Sequence, residues 1–384
     1  MTPQLSYDVL VILDYYLPGR KAGGPITTIA NLTELLGDEL RFLILTRRKD
    51  IDGTVYSHLP AGRIVRTGRA DVIYLNDEEF TPRDLAQYAR LSGAGTLYLN
   101  SFFSPLSFIF LLLRRLGQLN MNVILAPRGE FSRAAYVLKG KKKRLYRQLV
   151  DRFGLLRGVR WQVSSSYEAQ ELEQVLGERD DVILAPDPFV TGRDWTPQPH
   201  DRDLIYLSRI SPKKNLHYAL QCLEQVRSPV TLDIYGPIED SSYWEQCQVL
   251  IKRLPSHVQV KYCGVLAYED VRDTFGHYSA FFFPTGGENY GHVIPEALSA
   301  GTPVILSDCT PWRDLEDAGV GYVLPLEAPE RFSAAVDELV GRSTEERQAT
   351  AARCQSYAKA VEKQPHVRQQ NITLFTQPFK RGQA

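Results

Sequence analysis

Two carboxylates and a glycine-rich loop lie close together in the stretch FFFPTGGENYGHVIPEALSAGTPVILSD, Phe281 to Asp308. Its pattern predicts a buried strand, a glycine loop, a helix from about Gly291 to Ala300, and a second strand. A helix N-terminus attracts anions and suits a diphosphate, and a carboxylate can accept two sugar hydroxyls at once. Glu288 precedes the helix and Glu296 lies within it. A bare pair of glutamates at this spacing is usually a solvated helix face, but the strand–loop–helix–strand context favours a binding site.

Two basic residues follow another predicted strand, within IYLSRISPKKNLHYAL, Ile205 to Leu220. Arg209 comes directly after the strand, and Lys214 opens the next helix after a turn. Both cations can converge on a diphosphate leaving group and offset the charge that it develops. A solvated basic turn is the alternative, and these residues alone leave it open.

Two loops in the first half of the chain carry weaker signals. Gly23 and Gly24 precede Pro25 and a helix, which is again the geometry of an anion site. Arg128 follows a strand, as a residue that lines a ligand cleft should. A surface salt bridge explains Arg128 equally well.

Strands that alternate with helices must position these residues. Near-continuous apolar runs separated by helical patterns, such as Pro25–Leu36 and Pro82–Leu91, are typical of parallel, doubly wound sheets. In the first half, strands are predicted at Tyr7–Leu13, Arg41–Thr46, Asp71–Leu75, Thr96–Asn100, Asn122–Ala126, Trp161–Ser164 and Val182–Ala185. In the second half, they are predicted at Leu204–Ser208, Thr231–Tyr235, Val258–Tyr262, Ala280–Phe283, Pro303–Ser307 and Gly321–Leu324.

The alternation is interrupted by PDPFVTGRDWTPQPHDRD, Pro186 to Asp203, which is rich in proline and charge and predicts a linker. We therefore expect one α/β domain over 1–190, a linker over 191–203, a second α/β domain over 204–350 and a closing helix over 351–384. Two such sheets leave a cleft between them, and ligands bind open α/β sheets at the carboxyl ends of the strands.

Length and composition exclude several classes of protein. The 384 residues suit two domains, and 43% hydrophobic with 23% charged residues excludes extensive disorder. The 45 basic and 45 acidic residues give zero net charge, which argues against a nucleic-acid-binding protein. Five cysteines without a C-x-x-C pair fit a reducing cytosol, and no signal peptide is expected. The longest apolar run, Phe102 to Leu113, has 12 residues, short of the ~18–20 that span a bilayer.

The glutamate segment resembles the retaining nucleotide-sugar glycosyltransferases of family 4, of the type found in bacterial polysaccharide biosynthesis. Their hallmark is Glu-x7-Glu within E-G-F-G-x-x-x-x-E-A-x-A-x-G-x-P-V-I. Here Asn289 replaces the usual glycine and Tyr290 the phenylalanine, while both glutamates and Gly291 are kept. The family also carries G-R-x-x-x-x-K-G. In this chain Ser208 stands in place of the first glycine and Asn215 in place of the last, while the spacing from arginine to lysine is kept.

The resemblance implies a GT-B fold, with two Rossmann-like domains facing a cleft, and a sugar transfer that retains the anomeric configuration. It implies that Arg209, Lys214 and Glu288 serve the chemistry, with Glu288 on the donor sugar's hydroxyls and Glu296 on the ribose. The implied donor-binding set is Glu296, Gly291, His292, Val293, Asn289, Tyr290, Gly287, Gly23 and Gly24. Arg128 is assigned to the acceptor. A UDP- or GDP-sugar is the expected co-substrate, and neither cofactor nor metal is expected. A nucleotide-sugar epimerase of the same fold and an inactive nucleotide-sugar-binding subunit remain alternatives.

The charge of the chain is unevenly distributed. From Arg128 to Arg160 there are 11 basic and 2 acidic residues, and Leu145, Leu149 and Phe153 recur at four-residue spacing. A basic amphipathic helix of this kind suits anionic lipid headgroups, although a solvated basic face is the alternative. We expect a cytoplasmic protein that docks on the inner membrane face and uses a lipid-linked sugar as acceptor.

Overall fold

The computed structural model describes residues 6–132, 136, 140–191 and 201–379. The chain forms two compact units. The first comprises residues 1–188 and 365–384, and the second comprises residues 189–364.

The first unit is built on an eight-stranded sheet with the order β3-β4-β2-β1-β5-β6-β7-β8. Its strands are β1 Val9–Ile12, β2 Phe42–Arg47, β3 Ile64–Thr67, β4 Ala70–Leu75, β5 Thr96–Asn100, β6 Asn122–Ala126, β7 Val159–Val163 and β8 Val182–Leu184. All neighbours pair in parallel except β3, which pairs antiparallel with β4 at the sheet edge. The seven predicted strands are confirmed. β3 was not predicted, because it has only four residues and none of them is buried. It therefore lacks the continuous apolar run by which the other strands were predicted.

The second unit is built on a six-stranded, parallel sheet with the order β11-β10-β9-β12-β13-β14. Its strands are β9 Arg202–Leu207, β10 Val230–Tyr235, β11 Val258–Gly264, β12 Tyr278–Phe283, β13 Val304–Ser307 and β14 Gly321–Leu324. The central strands are buried along their whole length, which explains their near-continuous apolar sequences. Since β9, β12 and β13 are neighbours and parallel, the loops that follow them leave the same edge of the sheet.

Helices cover the sheets and begin where the sequence supplies a cap or a proline. Thr81, for example, accepts a hydrogen bond from the Asp84 N–H at 3.2 Å, and Pro82 occupies the first turn. The described helices are α1 Gly24–Leu36, α2 Pro82–Ser92, α3 Pro105–Arg115, α4 Gly140–Arg152, α5 Ser166–Leu176, α6 Leu216–Leu223, α7 Ser241–Ile251, α8 Tyr268–Phe275, α9 Val293–Ser299, α10 Pro329–Val340, α11 Thr344–Glu362 and α12 Pro365–Thr376. In the part of the chain that the structure describes, no helix combines the length and apolarity that a membrane crossing requires.

The observed division differs from the expected one at two places. β9 begins at Arg202, inside the segment expected as linker, while residues 192–200 of that segment lie outside the described residues. The single closing helix expected over 351–384 is two helices, α11 in the second unit and α12 in the first. The break falls just before Pro365, which suits the first turn of a new helix but cannot continue an old one.

A buried arginine ties the end of α12 to the first sheet. Arg160 lies on β7 with a fully buried side chain, and its Nε is 3.1 Å from the Asp181 carboxylate. Its guanidinium also donates to the carbonyls of Leu374 and Gln377, at 3.0 and 2.8 Å. A cation at a helix C-terminus satisfies carbonyls that lack partners within the helix. The arginine therefore anchors the returning chain to the first unit.

We expect Arg160→Met to destabilise the first unit by about 3–5 kcal/mol, because it leaves a buried carboxylate and helix-end carbonyls without their donor. Calorimetry and limited proteolysis of the α12 segment measure this effect. Arg66→Met is the matched control, since the Arg66–Asp71 pair is exposed and worth at most about 1 kcal/mol. Equal melting of the two variants would contradict the anchoring role.

Candidate active site

The loop after β9 presents a tight basic turn. Residues Pro212–Lys214 form a single 3-10 turn, which Asn215 ends in the left-handed conformation. The Tyr206 hydroxyl donates to the Lys214 carbonyl at 2.8 Å. Burial raises the pKa of Tyr206 well above its ordinary value, so this hydroxyl stays protonated and remains a donor. The backbone that carries Lys214 is thereby held from inside the unit.

The loop after β12 packs directly against this turn. The Gly286 N–H donates to the Lys213 carbonyl at 2.9 Å. A Cβ on Gly286 would lie 3.1 Å from that carbonyl oxygen, so glycine permits the close approach. The fully buried Thr285 donates to the same carbonyl at 3.3 Å. These contacts join two loops that are far apart in sequence.

The two loops bring a predicted cation and a predicted carboxylate into contact. The Lys214 ammonium forms an ion pair with Glu288, and the two side chains are only 13% and 10% exposed. The Thr285 hydroxyl lies 3.3 Å from the same Glu288 oxygen. A phosphate group that binds Lys214 must therefore compete with Glu288 for the ammonium.

The end of β13 and the loop that follows it hold the backbone around Glu288. The Ser307 hydroxyl donates to the Thr285 carbonyl, and the Glu288 N–H donates to the Cys309 carbonyl at 3.1 Å. Thr285, Ser307 and Tyr206 were not among the predicted site residues. The sequence signal that could have found them is their position at or near the end of a buried parallel strand. Many polar residues at such positions only form hydrogen bonds with the backbone and have no role in a site.

Arg209 has a different partner from Lys214. Its Nη1 lies 2.8 Å from the Glu239 carboxylate, and both side chains are about half exposed. Glu239 follows β10 and was not among the predicted site residues. The structure thus presents Arg209 to solvent, where a ligand can exchange for Glu239 at small cost.

The segment from Asn289 to Glu296 is held by aromatic packing. The Tyr290 ring lies 5.4 Å from that of Trp312, whose indole N–H donates to the Tyr290 carbonyl at 2.7 Å. Gly291 has φ +79°, a conformation that other residues adopt only with strain, and a Cβ there would displace Ile294 Cδ1, 2.8 Å away. Asn289 itself is half-buried.

The helix that follows is shorter than predicted. It was expected from about Gly291, but α9 begins at Val293 and has 7 residues. The dipole of so short a helix is small, so the basic side chains are the stronger attraction for an anion. Gly287, His292 and Val293 lie on the approach to α9 or at its start, and Glu296 lies half-buried within its first turn.

Gly23 and Gly24 lie in the first unit, at the start of α1. Gly23 has φ +86° and precedes the helix without a side-chain cap, and Gly24 is the first helical residue. The preceding loop is fixed by the buried Asp50, whose carboxylate accepts the Arg20 N–H at 3.2 Å. The glycine loop and its helix are therefore as the sequence predicted, whereas their role toward a donor stays a prediction.

Arg128 is buried, with a side chain only 6% exposed, and its Nη1 lies 2.6 Å from the Asp187 carboxylate. Its Nη2 donates to Asn100 at 2.7 Å and to the Tyr98 hydroxyl at 2.6 Å. An ion pair was one of the two explanations offered by the sequence, but it was expected at the surface. The carboxyl ends of β5, β6 and β8 surround it instead. Its assignment to an acceptor stays a prediction.

The structure also bears on metal binding. Among the described residues, no group of three histidine, cysteine, aspartate or glutamate side chains is close enough to hold a metal ion.

Solved structures of the same architecture define the class of fold. Sucrose-phosphate synthase from Thermosynechococcus elongatus matches 97% of this chain and 98% of its own, with a TM-score of 0.72 and 15% identity. The Anabaena protein HepE, solved in complex with UDP and glucose, matches 97% of this chain and 100% of its own, with a TM-score of 0.72 and 15% identity. The chain has the GT-B fold, as expected.

Sequence comparison shows which family the second unit resembles. Residues 193–361 match the family described as Glycosyl transferases group 1. The O-antigen chain mannosyltransferase B of Escherichia coli is 28% identical over 123 residues, 30% of this chain and 31% of the relative. A phosphatidyl-myo-inositol mannosyltransferase of Mycobacterium tuberculosis is 43% identical over 53 residues, 14% of each chain. The match to the group 1 glycosyltransferases covers less than half of this chain, and the curated matches span a third or less of the relatives' lengths.

The ion pair leads to a prediction about nucleotide binding. We expect Glu288→Gln to bind UDP or GDP more tightly than the wild type, by about two- to tenfold, because Lys214 loses the carboxylate that competes with phosphate. Isothermal titration with each nucleotide measures this change.

Glu239→Gln is the comparison variant, because it frees Arg209 from an exposed and therefore weaker pair. Its gain in affinity should be smaller. Unchanged or weaker nucleotide binding by the Glu288 variant would show that Lys214 does not meet the diphosphate.

Proposed function

We propose that this protein transfers a sugar from a nucleotide-diphosphate donor to an acceptor hydroxyl, with retention of the anomeric configuration. The observation that carries the proposal is the contact between Lys214 and Glu288 at the ends of two neighbouring strands. A cation for a departing diphosphate and a carboxylate for sugar hydroxyls thus stand within one ligand's reach.

The proposed roles follow from charge. As the bond from the sugar to the diphosphate breaks, negative charge grows on the leaving group, and Lys214 and Arg209 offset it. Glu288 accepts hydroxyl groups of the donor sugar, and Glu296 accepts those of the ribose. The acceptor proton is taken by an oxygen of the leaving phosphate, so no further carboxylate base is assigned.

The similar proteins support a nucleotide-sugar donor and an acceptor in glycan or glycolipid assembly. The Escherichia coli relative is a mannosyltransferase of the O-antigen chain, and the mycobacterial relative acts on phosphatidyl-myo-inositol. HepE was solved with UDP and glucose. We therefore propose a UDP- or GDP-sugar as donor and a surface polysaccharide or glycolipid precursor as acceptor, the latter held by the first unit.

Incubation with a panel of UDP- and GDP-sugars and lipid-linked acceptors tests the transfer, with the anomeric configuration read by NMR. We expect Glu296→Ala to retain less than about a tenth of wild-type turnover, a loss above ~1.4 kcal/mol, with unchanged thermal stability. Glu345→Ala, in the first turn of α11, is the control for loss of a glutamate. Conversion of the donor sugar to its epimer would favour the epimerase, and binding without any product would favour the inactive subunit.

The absence of a metal requirement is a separate prediction. If the basic side chains alone offset the diphosphate charge, addition of EDTA to the transfer assay leaves the rate unchanged. Loss of activity that manganese or magnesium restores would overturn this assignment.

We further propose that the first unit docks on an anionic membrane. On α4 and just beyond it, Leu145, Leu149 and Phe153 are 58%, 38% and 52% exposed. Leu116, just after α3, is 62% exposed, and Arg115 Nε donates to the Phe153 carbonyl at 3.2 Å. The two helix ends therefore contribute to one exposed apolar patch.

Basic side chains border this patch, and anionic lipid is the partner that fits both features. Lys142, Arg144 and Arg152 are exposed on α4, in a stretch whose net charge of +9 is balanced by the rest of the chain. By contrast, the apolar run Phe102–Leu113 contributes Phe110 and Leu111 to the core and is a packed helix rather than a membrane contact.

We expect the wild type to sediment with phosphatidylglycerol vesicles at low salt and to be released at high salt. Lys142→Glu with Arg144→Glu should weaken sedimentation by about tenfold or more, since each basic residue contributes about 1 kcal/mol near an anionic surface. Leu145→Ser with Leu149→Ser should weaken it without changing the salt dependence.

Lys252→Glu with Arg253→Glu is the matched control, because this exposed basic pair lies in the second unit. It should sediment like the wild type. Wild-type protein that stays in the supernatant at low salt would show that the patch is a solvated face.

A further inference from the structure

We propose that Asn215 is a positioning residue, which holds the turn carrying Lys214 against the loop carrying Glu288 and on which turnover therefore depends. This inference rests on the proposed function for its kinetic consequence, but the contact itself can be measured independently.

The backbone of Asn215 is the first observation. It has φ +64° and ψ +33°, and it both ends the turn Pro212–Lys214 and precedes α6. Among the described residues other than glycine, only Ser101 and Arg128 also have positive φ. The left-handed conformation is costly for most side chains, but asparagine tolerates it better than they do. A residue that left this conformation would redirect Lys214 relative to the helix that follows.

The side chain of Asn215 is the second observation. Its Nδ2 donates to the Pro284 carbonyl at 2.9 Å, across 69 residues of sequence. Pro284 is the first residue after β12, at the base of the loop that leads to Glu288. The amide therefore joins the two loops at their roots, behind the ion pair of Lys214 and Glu288.

The neighbouring contacts make this bond consequential. Lys213 offers its carbonyl to the Gly286 N–H at 2.9 Å, and the Lys214 carbonyl is held by Tyr206. The Thr285 hydroxyl joins the loops but also contacts Glu288. Asn215 joins them through the Pro284 carbonyl, so it can be changed without removing a contact to the charged pair. The family pattern has glycine at this position. Asparagine keeps the conformation that glycine would adopt and adds the amide bond.

The test compares Asn215→Gly with Ser343→Gly in the full chain. The first keeps the backbone conformation and removes the amide. The second removes one hydrogen bond, in which the Glu346 N–H donates to the Ser343 hydroxyl, at the start of α11 in the same unit. The measurements are kcat and KM for the donor, the melting temperature, and hydrogen exchange of the Gly286 amide.

We expect Asn215→Gly to lower kcat by about tenfold or more, with a smaller change in donor KM, because a small displacement of the reacting groups has a large effect on rate. The Gly286 amide should exchange about tenfold faster than in the wild type. The Ser343 variant should lose similar stability and change neither kcat nor that amide.

Several outcomes would overturn the inference. An Asn215 variant with kcat within twofold of the wild type would do so, as would equal kinetic losses in both variants. If the wild type transfers no sugar, the proposed function fails, and the exchange rate decides the positioning claim alone. An unchanged Gly286 exchange rate would then refute it.

Discussion

The ion pair between Lys214 and Glu288 depends on a constraint of parallel sheets: neighbouring strands end at the same edge. The two residues are 74 positions apart in sequence, yet β9 and β12 are adjacent in the second sheet. The loops that leave them must therefore share one volume. In that space, Thr285 and Gly286 of one loop donate hydrogen bonds to the Lys213 carbonyl of the other. Lys214 and Glu288 are in contact because the backbones of their two loops are already hydrogen-bonded to each other.

The first unit uses buried charge for a different purpose. Arg128 links the ends of three strands through Asp187, Asn100 and Tyr98. Glu168 accepts N–H donors from Gly129 and Ser164, and burial raises the pKa of its carboxyl group. Networks of this kind are stable only when every member has its partner. They fix the strand-end loops of this unit, where the acceptor is proposed to bind.

The two units differ in what their surfaces offer. In the second unit, the loop after β9 carries both the half-exposed Arg209 and Lys214, which belongs to a largely buried ion pair. The first unit presents an apolar and basic patch on α4 and at the C-terminal end of α3. A partly buried pair suits a small charged ligand, since charges interact more strongly away from water. An exposed basic patch suits an extended anionic surface.

The fold class, most strand positions and the resemblance to the family 4 glycosyltransferases could be predicted from the sequence, because buried parallel strands require continuous apolar runs and the two motifs keep their spacing. The sequence also predicted that Lys214 and Glu288 would serve one ligand. Only the folded chain shows that they pair with each other, that Arg128 is buried rather than exposed, and that α12 returns to the first unit. Each of these results depends on contacts between residues far apart in the chain. Local pattern does not encode such contacts, since the same basic or acidic residue can be solvated or paired depending on which strand end lies beside it.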